Sequence, residues 1–152
     1  MMNYRLRQRQ RRAYRLVLLF TVIIIAACTS QPRYPAPARI GTDFVVEAAS
    51  LQLEIPRFFT YQYNGKNISF FVMRMKIGIQ SYLDACASCY PHKRGYHYEN
   101  GAVTCRFCGQ KFSVNKLDKG MGGCYPIKIE GRTEKGKYLI PLATLEAEVD
   151  KF

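Results

Sequence analysis

Four cysteines in two pairs constrain this chain more than any other feature: Cys86-x2-Cys89 and Cys105-x2-Cys108, with fifteen residues between the pairs. Two residues between cysteines let one tight turn aim both sulfurs at a single ion, while the amides of that turn stabilise the thiolates. The intervening stretch is long enough for a hairpin that brings the second pair opposite the first. Such spacing suits tetrathiolate zinc, mononuclear iron and iron–sulfur sites alike, so it defines a site and leaves its metal open. Disulfides are the competing reading. Against them, five cysteines outside the N-terminal region cannot all pair internally, and a C-x2-C disulfide closes a very small loop.

The N-terminus reads as an export signal. Residues 1–15 hold six arginines and no acid, and residues 16–27 (LVLLFTVIIIAA) are almost wholly apolar. That run of 12 is short of the roughly 20 residues a spanning helix needs, so an uncleaved anchor is the weaker reading. Ile25-Ala26-Ala27-Cys28 resembles the lipobox of bacterial lipoproteins, which implies cleavage after residue 27 and lipid on Cys28. A chance cysteine after a signal peptide is the alternative. Arg11-Arg12 faintly resembles a twin-arginine signal, but Arg15 stands where an apolar residue is expected. The domain plan is therefore a signal over 1–27, a lipidated Pro-rich tether over 28–42 and a folded domain over 43–152.

Charge limits the partners. Six of the 23 basic residues belong to the signal, leaving 17 against 11 acids, a formal +6 instead of +12. The remaining charges are scattered and mixed in sign, unlike the clustered basic face that nucleic acid requires, so no nucleic-acid partner is expected. An anionic membrane surface or an acidic protein fits the balance better.

Most local signals are β. Phe44-Val45-Val46-Glu47 and Leu51-Gln52-Leu53-Glu54-Ile55 read as short strands. Residues 58–63 and 68–75 flank Asn64-Gly65, a strong hairpin signal because both residues tolerate positive φ. Residues 77–82 read as a strand with Gly78 at a bend, and residues 125–130 and 137–140 flank a turn at 132–136. Only residues 142–149 have helical spacing, through Leu142, Leu145 and Val149. The 11 tyrosines and 9 phenylalanines are spread through these runs and read as packing.

The surroundings of the cysteines add detail. Cys105-x2-Cys108-Gly109-x2-Phe112 and the later Gly122-Gly123-Cys124-x-Pro126 resemble the second and third loops of the Rieske pattern, with cysteine replacing histidine at Cys108 and again at Cys89. The resemblance implies a small Rieske-like β-sandwich or barrel with two cysteine ligand loops at one end and a short C-terminal helix. All-thiolate ligation implies a more reducing centre than one with two histidines. Together with Phe70-Phe71-Val72, Leu83-Asp84-Ala85 before the first pair, Tyr90-Pro91 after it and Lys93-Arg94-Gly95-Tyr96, these motifs resemble the soluble domain of the FtrD-like membrane iron–sulfur family. That likeness implies an envelope protein with an iron–sulfur or related redox centre, often associated with ferrous-iron permeases. Many members carry transmembrane helices ahead of this domain, where this chain has a lipoprotein signal.

Cys124 is the odd thiol: a further ligand, a redox partner for one pair, or a small buried cysteine on a glycine turn. With Met121 it would suit a soft ion such as Cu(I). His92 and His97 lie between the pairs and are expected near the sulfurs or exposed, since four thiolates already close a tetrahedron. No Ser/His/Asp order, carboxylate pair or phosphate-cradling loop stands out. The expected function is a lipid-anchored four-cysteine protein at the periplasmic or other extracytoplasmic face of a bacterial envelope. It would hold an iron–sulfur cluster or a single Fe ion and act in electron transfer linked to metal-ion handling. An iron permease or redox protein would be its partner, and a carrier or accessory role fits better than an enzyme. Two alternatives stay open: an accessory module with structural Zn, and a thiol–disulfide oxidoreductase, which lacks the expected βαβ context.

Overall fold

Phe70-Phe71-Val72-Met73 has no polar break, and a strand of that composition needs cover on both faces. In the computed structural model, which describes residues 31–117 and 122–152, it has that cover. The signal, Cys28, Gly120 and Met121 lie outside the described residues. The strands are β1 (Ala38–Ile40), β2 (Asp43–Glu47), β3 (Arg57–Tyr63), β4 (Lys66–Arg74), β5 (Ile79–Cys86), β6 (Tyr96–Glu99), β7 (Ala102–Cys105), β8 (Lys111–Ser113), β9 (Pro126–Ile129), β10 (Arg132–Glu134) and β11 (Lys137–Pro141). One short helix, α1 (Leu142–Glu146), follows. The strands pair antiparallel into three sheets, ordered β1-β2-β11-β10, β3-β4-β5-β9 and β6-β7-β8. The class is mainly β, as expected.

The sheet containing β4 and β5 lies at the centre. Alternate side chains of a strand point to opposite faces, so Ile68, Phe70, Val72, Leu83 and Ala85 pack with Phe44, Val46, Tyr138, Ile140 and Leu145. From the other face, Phe71, Met73, Tyr82 and Cys86 pack with Tyr96, Val103, Cys105 and Phe112 of the small third sheet. Ser81 spans to the first sheet, where its hydroxyl and that of Tyr138 lie 2.9 Å apart.

The Asn64-Gly65 hairpin forms as read, with φ of 46° and 74°. Residues 51–55 do not form the expected strand. Leu53 makes a single bridge to Arg74, and Glu54 turns the chain at φ 60° before Pro56. Residues 132–136 are not all turn: β10 pairs with β11, and only Lys135 and Gly136 reverse the chain. The short helix falls within residues 142–149 and gives way to a single 3-10 turn at Val149–Lys151.

The Pro-rich stretch expected to be a tether is docked from Gln31 onward. The Tyr34 amide donates to Thr60 Oγ1 at 2.9 Å, the Thr60 amide donates to the Pro35 carbonyl at 3.3 Å, and the Tyr34 ring stacks on Phe58. An extended, proline-rich segment covers the open edge of β3, where unpaired backbone would otherwise face solvent. Among the described residues no helix is long and apolar enough to cross a membrane.

Phe70 is fully buried against Phe44 and Phe59, so Phe70→Ala should cost about 3–5 kcal/mol. Ile77, 90% exposed at the β4–β5 turn, should tolerate alanine within about 0.5 kcal/mol. Urea unfolding of both variants checks the pair.

Candidate metal centre

Three loops meet at one end of the central sheet. Cys86 closes β5 and Cys89 lies in the turn after it; Cys105 closes β7 and Cys108 lies in the turn before β8. The hairpin of β6 and β7, reversed by Asn100 and Gly101 at positive φ, carries the second pair back onto the first. Cys124 comes from the loop before β9. Pairing of Cys86 with Pro126 and of the Ala87 amide with the Tyr125 carbonyl pins that loop, as does the Ser88 hydroxyl donating to the Gly123 carbonyl at 2.7 Å. Between Tyr82 and Cys86 β5 has two residues more than β9, and the register between the strands shifts there.

The result is one group of five sulfurs. Those of Cys89, Cys105 and Cys108 lie within 4.8 Å of one another, as do those of Cys86, Cys89 and Cys124. Cys124 Sγ stands 3.9 Å from both Cys89 Sγ and Cys108 Sγ. All four cysteines singled out from the sequence are therefore together, and the fifth stands among them. Cys89 belongs to both triads and is the hub. Cys86, Cys89 and Cys105 are buried, Cys124 is half-buried and Cys108 is exposed.

Both pairs sit in hydrogen-bonded turns, the second one residue longer than the first. The Cys89 amide donates to the Cys86 carbonyl at 3.1 Å, and the Gly109 amide to the Cys105 carbonyl at 2.9 Å. Amides of Ser88 and Cys89 face the Cys86 sulfur, and those of Phe107 and Cys108 face Cys105. Burial alone would raise the Cys86 thiol, but the Tyr96 hydroxyl and these amides outweigh it and bring it down to about 7. At Cys108 burial is likewise outweighed, chiefly by the Gln110 amide, so that thiol is also lowered. Cys89 is pushed up by burial and by the neighbouring thiols; burial, as the leading cause, raises Cys105 and Cys124 too. Thiolates packed this closely repel one another, and a cation among them would favour the ionised form of them all.

Tyr96 supplies a direct test of fit. Its hydroxyl is buried and has no well-formed hydrogen bond among the described residues, yet it lies close enough to Cys86 to favour the thiolate. A buried donor without a partner is costly, and a ligating thiolate satisfies it. Five soft thiol donors with inward amides and this waiting hydroxyl fit an iron–sulfur group. The histidines are placed differently: His92 stacks flat on Phe107, centroids 3.5 Å apart, and His97 lies on β6 beside Glu99.

Sequence reasoning gave no role to Asp84. It is 1% exposed and accepts hydrogen bonds from the Tyr96 amide at 2.5 Å and from Gln31 Nε2 at 2.9 Å. Burial lifts its carboxyl to about 6, against the pull of Gln31, the Tyr96 amide and Arg106. The available signal was its spacing: two residues before Cys86 on one strand, hence on the same face. Gly95 makes the contact possible, because a Cβ there would stand 2.7 Å from both Asp84 oxygens and from Gln31 Nε2.

These features define a mainly β domain with a thiol-rich metal centre at the end of its central sheet. The chain belongs to the FtrD-like family of membrane iron–sulfur containing proteins, whose model matches residues 52–152. Among solved structures, the ferredoxin of carbazole 1,9a-dioxygenase from Nocardioides aromaticivorans is similar over 70% of this chain and 97% of its own, at 15% identity and a TM-score of 0.40. A quaternary ammonium Rieske monooxygenase is similar over 63% of this chain and 29% of its own, at 15% identity and a TM-score of 0.41. No curated protein matched the chain.

Gly95→Ala should lower stability by more than the roughly 1–2 kcal/mol of left-handed backbone strain, because it also displaces Asp84. Gly41→Ala, at φ +57° with open space around it, should show the strain alone. Thermal unfolding compares the two, and bound metal per chain should fall only in Gly95→Ala.

Proposed function

We propose that this chain is an iron–sulfur electron-transfer protein, anchored to a bacterial envelope membrane by lipid on Cys28 and serving metal-ion handling there. One observation carries the reading: five thiols from three loops converge with backbone amides turned toward their sulfurs. Family membership supports the iron–sulfur assignment and the membrane association.

In this reading Cys86, Cys89, Cys105 and Cys108 ligate, with Cys124 as an additional ligand or redox thiol. An iron–sulfur group held there supplies a one-electron couple whose potential depends on hydrogen bonds to sulfur and on solvent exposure. Tyr96 and the turn amides stabilise negative charge on the sulfurs, while the core around Cys86 and Cys105 excludes water. Cys108, the exposed thiol, marks the uncovered edge of the centre and so the side for electron entry and exit.

Protein purified without oxygen should contain iron and acid-labile sulfide and absorb in the visible, and Cys105→Ser should lose all three. A colourless protein with one zinc would overturn the electron-transfer reading in favour of a structural module. Absence of metal with paired cysteines on thiol titration would favour the dithiol oxidoreductase.

Removing a donor from a cluster thiolate makes the reduced, more negative state harder to reach. Tyr96→Phe should therefore lower the midpoint potential while keeping iron and sulfide content, as read by redox titration of the visible bands.

A further inference from the structure

The chain enters the folded domain beside the cysteines. Gln31 Nε2 donates to the Asp84 carbonyl at 2.7 Å and to its carboxylate, and Asp84 lies two residues from Cys86 on β5. Two residues, Thr29 and Ser30, separate Cys28 from Gln31, and the three chain steps reach at most about 11 Å. Whatever holds Cys28 therefore holds this end of the domain.

The surface around that entry has a definite chemistry. Gln31 lines a cleft with Tyr90, Lys93, Arg94, Phe107 and Lys151. Phe107 is 51% exposed and Tyr90 36%, so two rings stand beside three cations. Lys151 lies 5.9 Å from the Tyr90 ring and pairs with Glu148; the other acid at the cleft, Asp84, is buried beneath Gln31. Aromatic rings at the surface with Lys and Arg around them match the border between acyl chains and anionic headgroups. A rival apolar patch, with Ile77 next to Lys76 and Arg74, lies past the opposite end of β5, about 25 Å along the strand. The chain's entry point decides between the two.

We propose that the cysteine end of the domain faces the bilayer, with Tyr90, Phe107, Lys93 and Arg94 seated against an anionic headgroup layer. This rests on the lipid-anchor reading of Cys28. The centre then sits at the membrane surface, with the Ile77 end turned to the aqueous side.

The chain has no tryptophan, so single-tryptophan variants report cleanly. The lipidated, metal-loaded full chain is bound to phosphatidylglycerol–phosphatidylcholine vesicles, with and without lipids brominated high on the acyl chain. Flotation reads the anchor, and the ratio of emission with and without bromine reads the orientation. Phe107→Trp, with Tyr90→Trp as a second reporter should the first fail to fold, should be quenched roughly twofold or more, as expected for a ring at the interface. Ile77→Trp should be unaffected, and adding Lys93→Glu with Arg94→Glu should reduce the quenching of the site-end reporter. Flotation with equal quenching at both ends, or stronger quenching of Ile77→Trp, overturns the orientation and leaves the anchor standing. Failure to float overturns the anchor, and the proposal with it.

Discussion

A single buried carboxylate ties the cysteine end together. Asp84 accepts from the Tyr96 amide and from Gln31, so β5, the start of β6 and the N-terminal segment all converge on it. Tyr96 pairs with Cys105 across the β6–β7 hairpin, and Cys86 follows Asp84 by two residues. Both cysteine turns are thus referred to the same carboxylate. A buried charge is tolerated only when its lone pairs are well used, and here they fix the distance between two loops that share no sheet. Gly95 is required by that packing, since only a residue without a Cβ leaves room for the carboxylate.

The alternation of the central sheet explains how the site is held. β4 and β5 each send one set of side chains into the larger core and the other set toward the small third sheet. Cys86 therefore stands at the end of a strand packed on both faces. The loop carrying Cys124 is fastened to the same strand end through Pro126, Tyr125 and Gly123. Three buried thiols and one exposed thiol then give the centre an inner and an outer side.

Local chemistry was legible in the sequence, and long-range cover was not. The Asn64-Gly65 hairpin and the two C-x2-C turns depend on residues a few positions apart, and each formed as read. Residues 51–55 have strand-like alternation, but Glu54 at φ 60° breaks them, a conformation no pattern of apolar residues reveals. The stretch from Gln31 to Ile40 has a linker's composition and is folded because of what it covers: the β3 edge, Phe58 and Asp84. Cys124 was identified as unpaired from the count alone; its place beside Cys89 and Cys108 depends on how the loop before β9 is pinned to β5.

The N-terminal strap has a further consequence for how the domain can be cut. Composition alone would put its start at Asp43, yet a fragment beginning there lacks Gln31, Tyr34 and β1. Its Asp84 loses an amide donor, and the cleft that Gln31 lines together with Cys86, Cys89 and Cys105 stands open on that side. Proteolysis in the proline-rich stretch would act in the same way, giving water and dissolved oxidants a wider route to Cys86, Cys89 and Cys105, which the intact chain keeps buried.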